Sequence, residues 1–176
     1  METAWQAGYV TKESDIIMLA QLYLFNQLPY KAADLLDNAI GKGIVVANEK
    51  RLELLAQAYM LAKEDEKAIP VLVKAAEISD TGKFNAQLAQ SYLNLEKWSL
   101  AITSAKQAIK RGGLDNLGNM YLVLGMSHFN LKKFDDSLLA FEHAQELPDT
   151  AKTAKQWTSY VSKEQRYQNQ LNLINH

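Results

Sequence analysis

Cysteine is absent from the 176 residues. That excludes disulfides, thiolate nucleophiles and cysteine-ligated metals, while leaving the compartment open. Proline occurs three times and glycine eight times, too few for a loop-rich or disordered chain. Neither sign of charge prevails. Lys and Arg number 19 against 20 Asp and Glu, a net charge of −1, so the chain lacks the basic surplus that nucleic acid or an anionic membrane would attract. Long apolar runs are missing too: the longest uninterrupted aliphatic stretch is Ile44 to Ala47, and no membrane-spanning helix is predicted. Met1 to Val10 has neither the basic leader nor the apolar core of a signal peptide. What remains, 48% hydrophobic and 22% charged residues, suits one medium domain or a short repeat array.

A repeat is present. Leu19-Ala20-Gln21-Leu22-Tyr23 returns as Leu55-Ala56-Gln57-Ala58-Tyr59, as Leu88-Ala89-Gln90-Ser91-Tyr92 and, degraded, as Leu124-Gly125-Met126-Ser127-His128, at offsets of 36, 33 and 36. Two further columns keep those offsets: Ala32, Ala68, Ala101 and Ser137, then Ala39, Ala75, Ala108 and Ala144. Leu19 and Tyr23 are spaced i, i+4, and Ala32, Leu36 and Ala39 are spaced i, i+4, i+7, so each unit carries two amphipathic helices. The small residues mark where two helices cross closely. The first small column precedes the second by twelve residues in every copy, which fixes the turn inside each pair and pushes length variation between pairs. There the glycines gather: Gly41, Gly43, Gly82, Gly112, Gly113 and Gly118.

The pattern predicts helices over 14–27, 30–42, 48–62, 65–79, 83–95, 98–111, 117–131 and 134–147, with a longer ninth over 150–172. Ser14, Asn48 and Asp149 are the expected N-caps. Pro29 marks the first intra-pair turn, Pro148 closes the eighth helix, and Pro70 is placed in about the first turn of its helix, where a missing N–H matters least.

The Leu-Ala/Gly…Tyr…Ala…Ala columns, at a period near 34, resemble the tetratricopeptide repeat (TPR) over 14–147. Repeat three is the best match, with Leu88, Ala89, Tyr92, Trp98, Ala101 and Ala108. Repeat four keeps Phe134 and Phe141 but has His128 where Tyr is usual. The resemblance implies an all-α, right-handed TPR superhelix of helix-turn-helix pairs. Its expected parts are the tail of a preceding repeat helix and turn (1–13), TPR 1 (14–47), TPR 2 (48–82), TPR 3 (83–116), TPR 4 (117–148) and a C-terminal capping helix and tail (149–176). Ala4…Gly8…Val10 repeats the pattern of Ala39…Gly43…Val45, so residues 3 to 8 are expected to be the end of an earlier second helix. An uncapped N-terminal end would then expose apolar surface around Ile16, Ile17 and Phe25, with Trp5 near it, and favour weak self-association. Trp157, Tyr160 and Val161 form the stripe by which the last helix should cover repeat four.

A narrower resemblance rests on Pro29-Tyr30-Lys31-Ala32-Ala33, Leu52-Glu53-Leu54-Leu55-Ala56-Gln57-Ala58, Lys67-Ala68-Ile69-Pro70, Leu124-Gly125-Met126 and Gln156-Trp157. These strings are similar to the C-terminal part of the TPR proteins that accompany TonB-type energy-transduction systems in Gram-negative bacteria. That resemblance implies a periplasmic adaptor working with the TonB–ExbB–ExbD machinery in siderophore and haem-iron uptake. The alternative is a cytoplasmic or envelope assembly scaffold, co-chaperone-like, with an unrelated partner.

No catalytic arrangement stands at recognisable spacing. No Gly-rich phosphate loop follows a strand, and His128, His143 and His176 do not converge with further ligands, so no cofactor or metal is expected and an enzyme is the disfavoured class. His128 is read as a core imidazole with one nitrogen satisfied, and Tyr23, Tyr59, Tyr92, Trp98 and Phe134 as core packing. The binding face is the polar column beside the small one. In the TPR family it lines the concave groove, which places Gln21, Gln57, Gln90 and Met126 there, continued one turn on by Phe25, Leu61, Asn94 and Asn130. A Gln amide both donates and accepts, so such a ladder can hold an extended peptide backbone. TPR domains that clamp a terminal carboxylate carry Lys, Arg and Asn on this face. Here only Lys50 and Lys83 lie near it, at helix starts, which argues against that mode.

Overall fold

The computed structural model describes residues 12–174, and the expected helix tail at 3–8, with Trp5, lies outside them. Among the described residues there are nine α-helices and no strand. They are α1 (Glu13–Phe25), α2 (Pro29–Gly41), α3 (Glu49–Leu61), α4 (Asp65–Ile78), α5 (Lys83–Asn94), α6 (Trp98–Arg111), α7 (Leu117–Asn130), α8 (Phe134–Gln145) and α9 (Ala151–Ile174). They fall into two compact units, the first ending at Ser79 and the second beginning at Asp80.

Three of the predicted cap and proline placements need correction. Ser14 lies inside the first turn of α1, whose N-cap position is Lys12; Glu13 and Asp15 supply the negative charge that a helix start favours. Asp149 sits in the turn before α9, and Thr150 takes the boundary: its carbonyl accepts from Ala154 N at 2.8 Å and its hydroxyl donates to Ala144 O at 2.7 Å. Pro70 is the sixth residue of α4, in the second turn. It is exposed there, where water can replace the missing donor. Asn48 does cap α3, accepting from Arg51 N at 3.1 Å. Asn116 caps α7 in the same way, accepting from Asn119 N at 3.0 Å, a role the sequence reading had not assigned.

The repeat columns are the core. Ala20, Ala56 and Ala89 are fully buried, as are Ala32, Ala68, Ala101 and Ser137, and Ala39, Ala75, Ala108 and Ala144. Between the last two columns run Leu36, Leu72, Ala105 and Phe141, all at 0% exposure. In repeat four the sizes are exchanged across the crossing. Phe141 is large and faces Gly125, where a Cβ would stand only 2.5 Å from the Phe141 ring. The Ser137 hydroxyl closes the same crossing by donating to Gly125 O at 2.8 Å. Ile16 and Ile17 are buried too, which corrects the expectation that they would be uncovered: they share the inward stripe of α1 with Ala20 and Tyr23. Met18, Leu22 and Phe25, spaced i, i+4, i+7, are the exposed apolar residues of that helix.

Each intra-pair turn has one geometry. Gln27, Lys63, Glu96 and Lys132, spaced by the repeat offsets, all sit at φ between 57° and 61°. The next residue's N–H reaches back to the carbonyl of Tyr23, Tyr59, Tyr92 or His128 at 2.8–2.9 Å. The left-handed residue itself donates to the carbonyl three positions before it. This is a Schellman ending made four times without glycine. Glycine takes the left-handed role between pairs instead, at Gly43, Gly112 and Gly113.

His128, in the tyrosine column, is buried, and its Nδ1 makes no hydrogen bond. Asp136 Oδ2 stands 3.6 Å away. The expected satisfied nitrogen is therefore not Nδ1. Burial pushes the imidazole below the ordinary histidine range; Asp136 opposes this, while Lys106 and Lys133 reinforce it. In repeat two the column residue is satisfied: the Tyr59 hydroxyl donates to Asp37 Oδ2 at 2.8 Å, and burial together with Asp37 raises its pKa well above the usual tyrosine range.

Three stability predictions follow from these contacts. Gly125→Ala gains helix propensity but drives a methyl into Phe141, with an expected net loss of about 1–3 kcal/mol. Combining it with Phe141→Leu, the pairing used by repeats one and two, should be less damaging than the two single losses summed, as measured by a denaturant double-mutant cycle. Glu96→Gly should raise stability by about 0.5–1 kcal/mol, because relief of the left-handed residue outweighs the added unfolded-state freedom; an unchanged urea midpoint would contradict it. Burial lowers the folded-state pKa of His128, so as pH falls through the ordinary histidine range, near about 6.5, the unfolded chain takes up a proton that the folded one resists. Stability should therefore fall as pH drops from 7 to 5, and His128→Tyr should flatten that part of the profile relative to the parent.

Candidate functional site

In the N-terminal unit the two first helices, α1 and α3, are tied at their beginnings. Arg51 Nε donates to Glu13 Oε1 at 2.8 Å, both side chains about one-third exposed. Eight residues beyond Glu13 lies Gln21, and six beyond Arg51 lies Gln57, roughly 12 and 9 Å along their helices at 1.5 Å per residue. Both glutamines are exposed. Neither amide makes a hydrogen bond among the described residues. One turn on, Phe25 is 85% and Leu61 56% exposed. This unit therefore pairs open amides with uncovered apolar side chains on its first helices, while the adjacent small column, Ala20 and Ala56, packs into the core.

The C-terminal unit treats the same column differently. Gln90 is half-buried, and its Nε2 donates to Asn94 Oδ1 at 2.9 Å. Asn130 is exposed, with its Nδ2 donating to Met126 O at 2.9 Å. Met126 is half-buried and packs on the cluster of Phe141, Ala144, Ala154 and Val161. The amides of Gln90 and Asn130 thus have partners within their own helices, whereas Gln21 and Gln57 are available. The sequence column ranks all four positions alike; only the i, i+4 Gln90–Asn94 pair signals the difference.

Two further features belong to this unit. One is an aromatic cluster at the start of α9. Trp157 stacks on Phe141 at 5.5 Å between ring centres and 12° between planes, and Phe129 and Tyr160 close on its other sides at 6.1 and 5.9 Å. Val161 is fully buried, but Tyr160 is 54% exposed, so the expected covering stripe is only partly inward. The other is an open groove of about 700 Å³ between α8 and α9. No group of three or more His, Asp or Glu among the described residues is placed to hold a metal, and no described helix is long and apolar enough to cross a membrane.

No protein-family model matches the chain. Among curated proteins, the heat shock protein STI1 of Saccharomyces cerevisiae is 30% identical over 111 residues, which is 62% of this chain and 18% of that protein. The chain therefore spans less than a fifth of the curated relative it matches. Several solved structures share the fold. "MamA MSR-1 C2" has a TM-score of 0.66 at 23% identity, covering 77% of this chain and 76% of that one. MamA 41-end from Desulfovibrio magneticus RS-1 has 0.66 at 16% identity, covering 89% and 96%. A putative kinesin light chain from Podospora anserina, with nearly identical TPR-like repeats, has 0.65 at 14% identity, covering 92% of each. With its buried repeat columns and all-helical architecture, the chain has the TPR-like helical-repeat fold of these structures.

Proposed function

We propose that the chain is a non-enzymatic adaptor that binds an extended segment of a partner protein across the exposed face of its first helices. The observation that carries this reading is the pair of open amides, Gln21 and Gln57, each followed one turn on by an uncovered apolar side chain, Phe25 or Leu61. Each amide can donate to and accept from a peptide backbone, and Phe25 and Leu61 can bury ligand side chains between those bonds. Gln90, Asn94, Met126 and Asn130 form the matching column of the C-terminal unit, with fewer free donors. The face holds no cluster of cations, so binding should depend weakly on salt.

The partner in this proposal is a component of a TonB-type envelope system, and the chain works in the periplasm. The repeat strings quoted for that resemblance support it. A second reading, a general assembly scaffold, co-chaperone-like, with an unrelated partner, is favoured by the match to the heat shock protein STI1.

The test is titration of purified periplasmic domains of TonB-system proteins into the chain and into Gln21→Ala/Gln57→Ala. The parent should bind, and the double variant should bind about tenfold more weakly, since each neutral hydrogen bond nets about 0.5–1.5 kcal/mol. Gln90→Ala should have a smaller effect, because its amide already has a partner. Unchanged affinity in a folded double variant would move the site off this face. No binding of the folded parent to any of the TonB-system domains would select the second reading.

A further inference from the structure

The helix α1 lacks a cover that its counterparts have. At the repeat offsets, Met18 and Leu22 match Leu54 and Ala58 of α3, Gln87 and Ser91 of α5, and Val123 and Ser127 of α7. Ala58, Ser91 and Ser127 are fully buried, Val123 is 1% exposed, and Leu54 and Gln87 are half-buried. Met18 and Leu22 are 51% and 50% exposed. On α7 the cover is visible: Val123 shares a cluster with Ala101, Ala105 and Ala108, the small stripe of the preceding second helix. Among the described residues no helix precedes α1.

The sequence of α1 is nevertheless that of a helix enclosed on several sides. From Ile16 to Tyr30 no residue is charged. The helix α7, with no Asp, Glu, Lys or Arg between Leu117 and Asn130, is similarly apolar around its circumference, and it lies between α6 on one flank and Phe141 of α8 on the other. A terminal repeat ordinarily turns a polar face outward. Here Met18, Leu22 and Phe25, at i, i+4 and i+7, make one continuous apolar stripe that ends at the exposed Leu28. The matched position that is Ala or Ser in the later helices is Leu22 in α1. Leucine is too large for the close crossing by which a small-striped second helix covers α7. The stripe therefore suits packing of large side chains against large side chains, and a surface like itself supplies them.

We propose that this stripe is a contact between two copies of the chain, with their α1 helices antiparallel across a two-fold axis. Leu22 meets Leu22, and Met18 of each copy meets Phe25 of the other. Charge favours the arrangement. A two-fold contact sets one surface against itself, so a charged patch would repel its own copy, and the stripe carries no charge. The acidic groups of α1, Glu13 and Asp15, lie at its start, and Glu13 is held by Arg51. Antiparallel packing sets them beside the uncharged far end of the other α1, whereas parallel packing would bring like charges together. Four side chains on one helix fall short of the roughly 800 Å² per partner of a standard interface, so the dimer is weak, with a Kd of about 0.1–1 mM. The contact also covers Phe25, at one edge of the glutamine face, but its test involves no ligand of that face.

Sedimentation equilibrium of the full chain tests the idea. The parent's average mass should rise with concentration, to at least about 1.4 times the single-chain 19.8 kDa at about 1 mM. Leu22→Lys and Leu22→Glu change an exposed position and should stay at the single-chain mass, with helical content unchanged by circular dichroism. Mixed in equal amounts, these two variants should associate again, because position 22 faces itself across the axis. Leu22→Ser installs the residue that α5 and α7 carry at the matching position, so the helix tolerates it, and it should weaken association about tenfold. A parent that keeps the single-chain mass at about 1 mM overturns the proposal; resistance of Met18 to peroxide in that monomer would assign the stripe to residues 1–11 instead. Association that survives Leu22→Lys and Leu22→Ser, or that the Lys and Glu mixture fails to restore, overturns it too, the last outcome pointing to a head-to-tail contact.

Discussion

The first and second helix of each pair lie in contact only because almost nothing stands between them. At each crossing one small residue meets another, Ala20 with Ala32, Ala56 with Ala68, Ala89 with Ala101, and Gly125 with Ser137, and all are buried. Close approach brings the flanking Leu, Tyr and Phe into dense packing, where most of the apolar burial arises. Repeat four shows how strict the limit is. A larger Phe141 is admitted only where the opposing residue has no side chain at all. Volume is conserved across the crossing, not at either position alone.

The turn obeys the same limit. To set both small residues at one height, the chain must reverse within a fixed number of residues, and the Schellman ending does this in all four pairs. The left-handed residue it requires is Gln, Lys, Glu or Lys, none of which favours that conformation. The crossing outweighs the local preference: the backbone goes where the packed helices send it, at a local strain of about 1 kcal/mol per turn.

Much of this was legible in the sequence, because packing at a crossing leaves a periodic mark. The small columns and the invariant spacing of twelve residues fixed the helix pairs, and helix ends follow within about two residues. Features without a period were harder to read. Ser14 and Asp149 have the chemistry of caps, yet the helices begin at Glu13 and Ala151; which of several adjacent polar residues takes the cap depends on where the packed stripe starts. The candidate binding column illustrates a second gap. Gln21, Gln57 and Gln90 look identical in the alignment of repeats. Whether an amide is open or occupied turns on the residue one turn later: Asn94 can accept from Gln90, whereas Phe25 and Leu61 cannot accept from Gln21 or Gln57.

The constant spacing of twelve also bears on how the chain reaches this structure. Each crossing joins residues close in sequence, so the loop to be closed is short and its entropic penalty small. Topologies dominated by such local contacts fold in microseconds to milliseconds, and a stack of similar pairs can nucleate at any of them and grow outward. With a compact unit on either side of Ser79, each half has its own set of crossings to start from. The pair in which one residue at the crossing has no side chain, Gly125 with Ser137, is additionally latched by a hydroxyl bond across the helices. That makes it a natural seed for the C-terminal half during refolding.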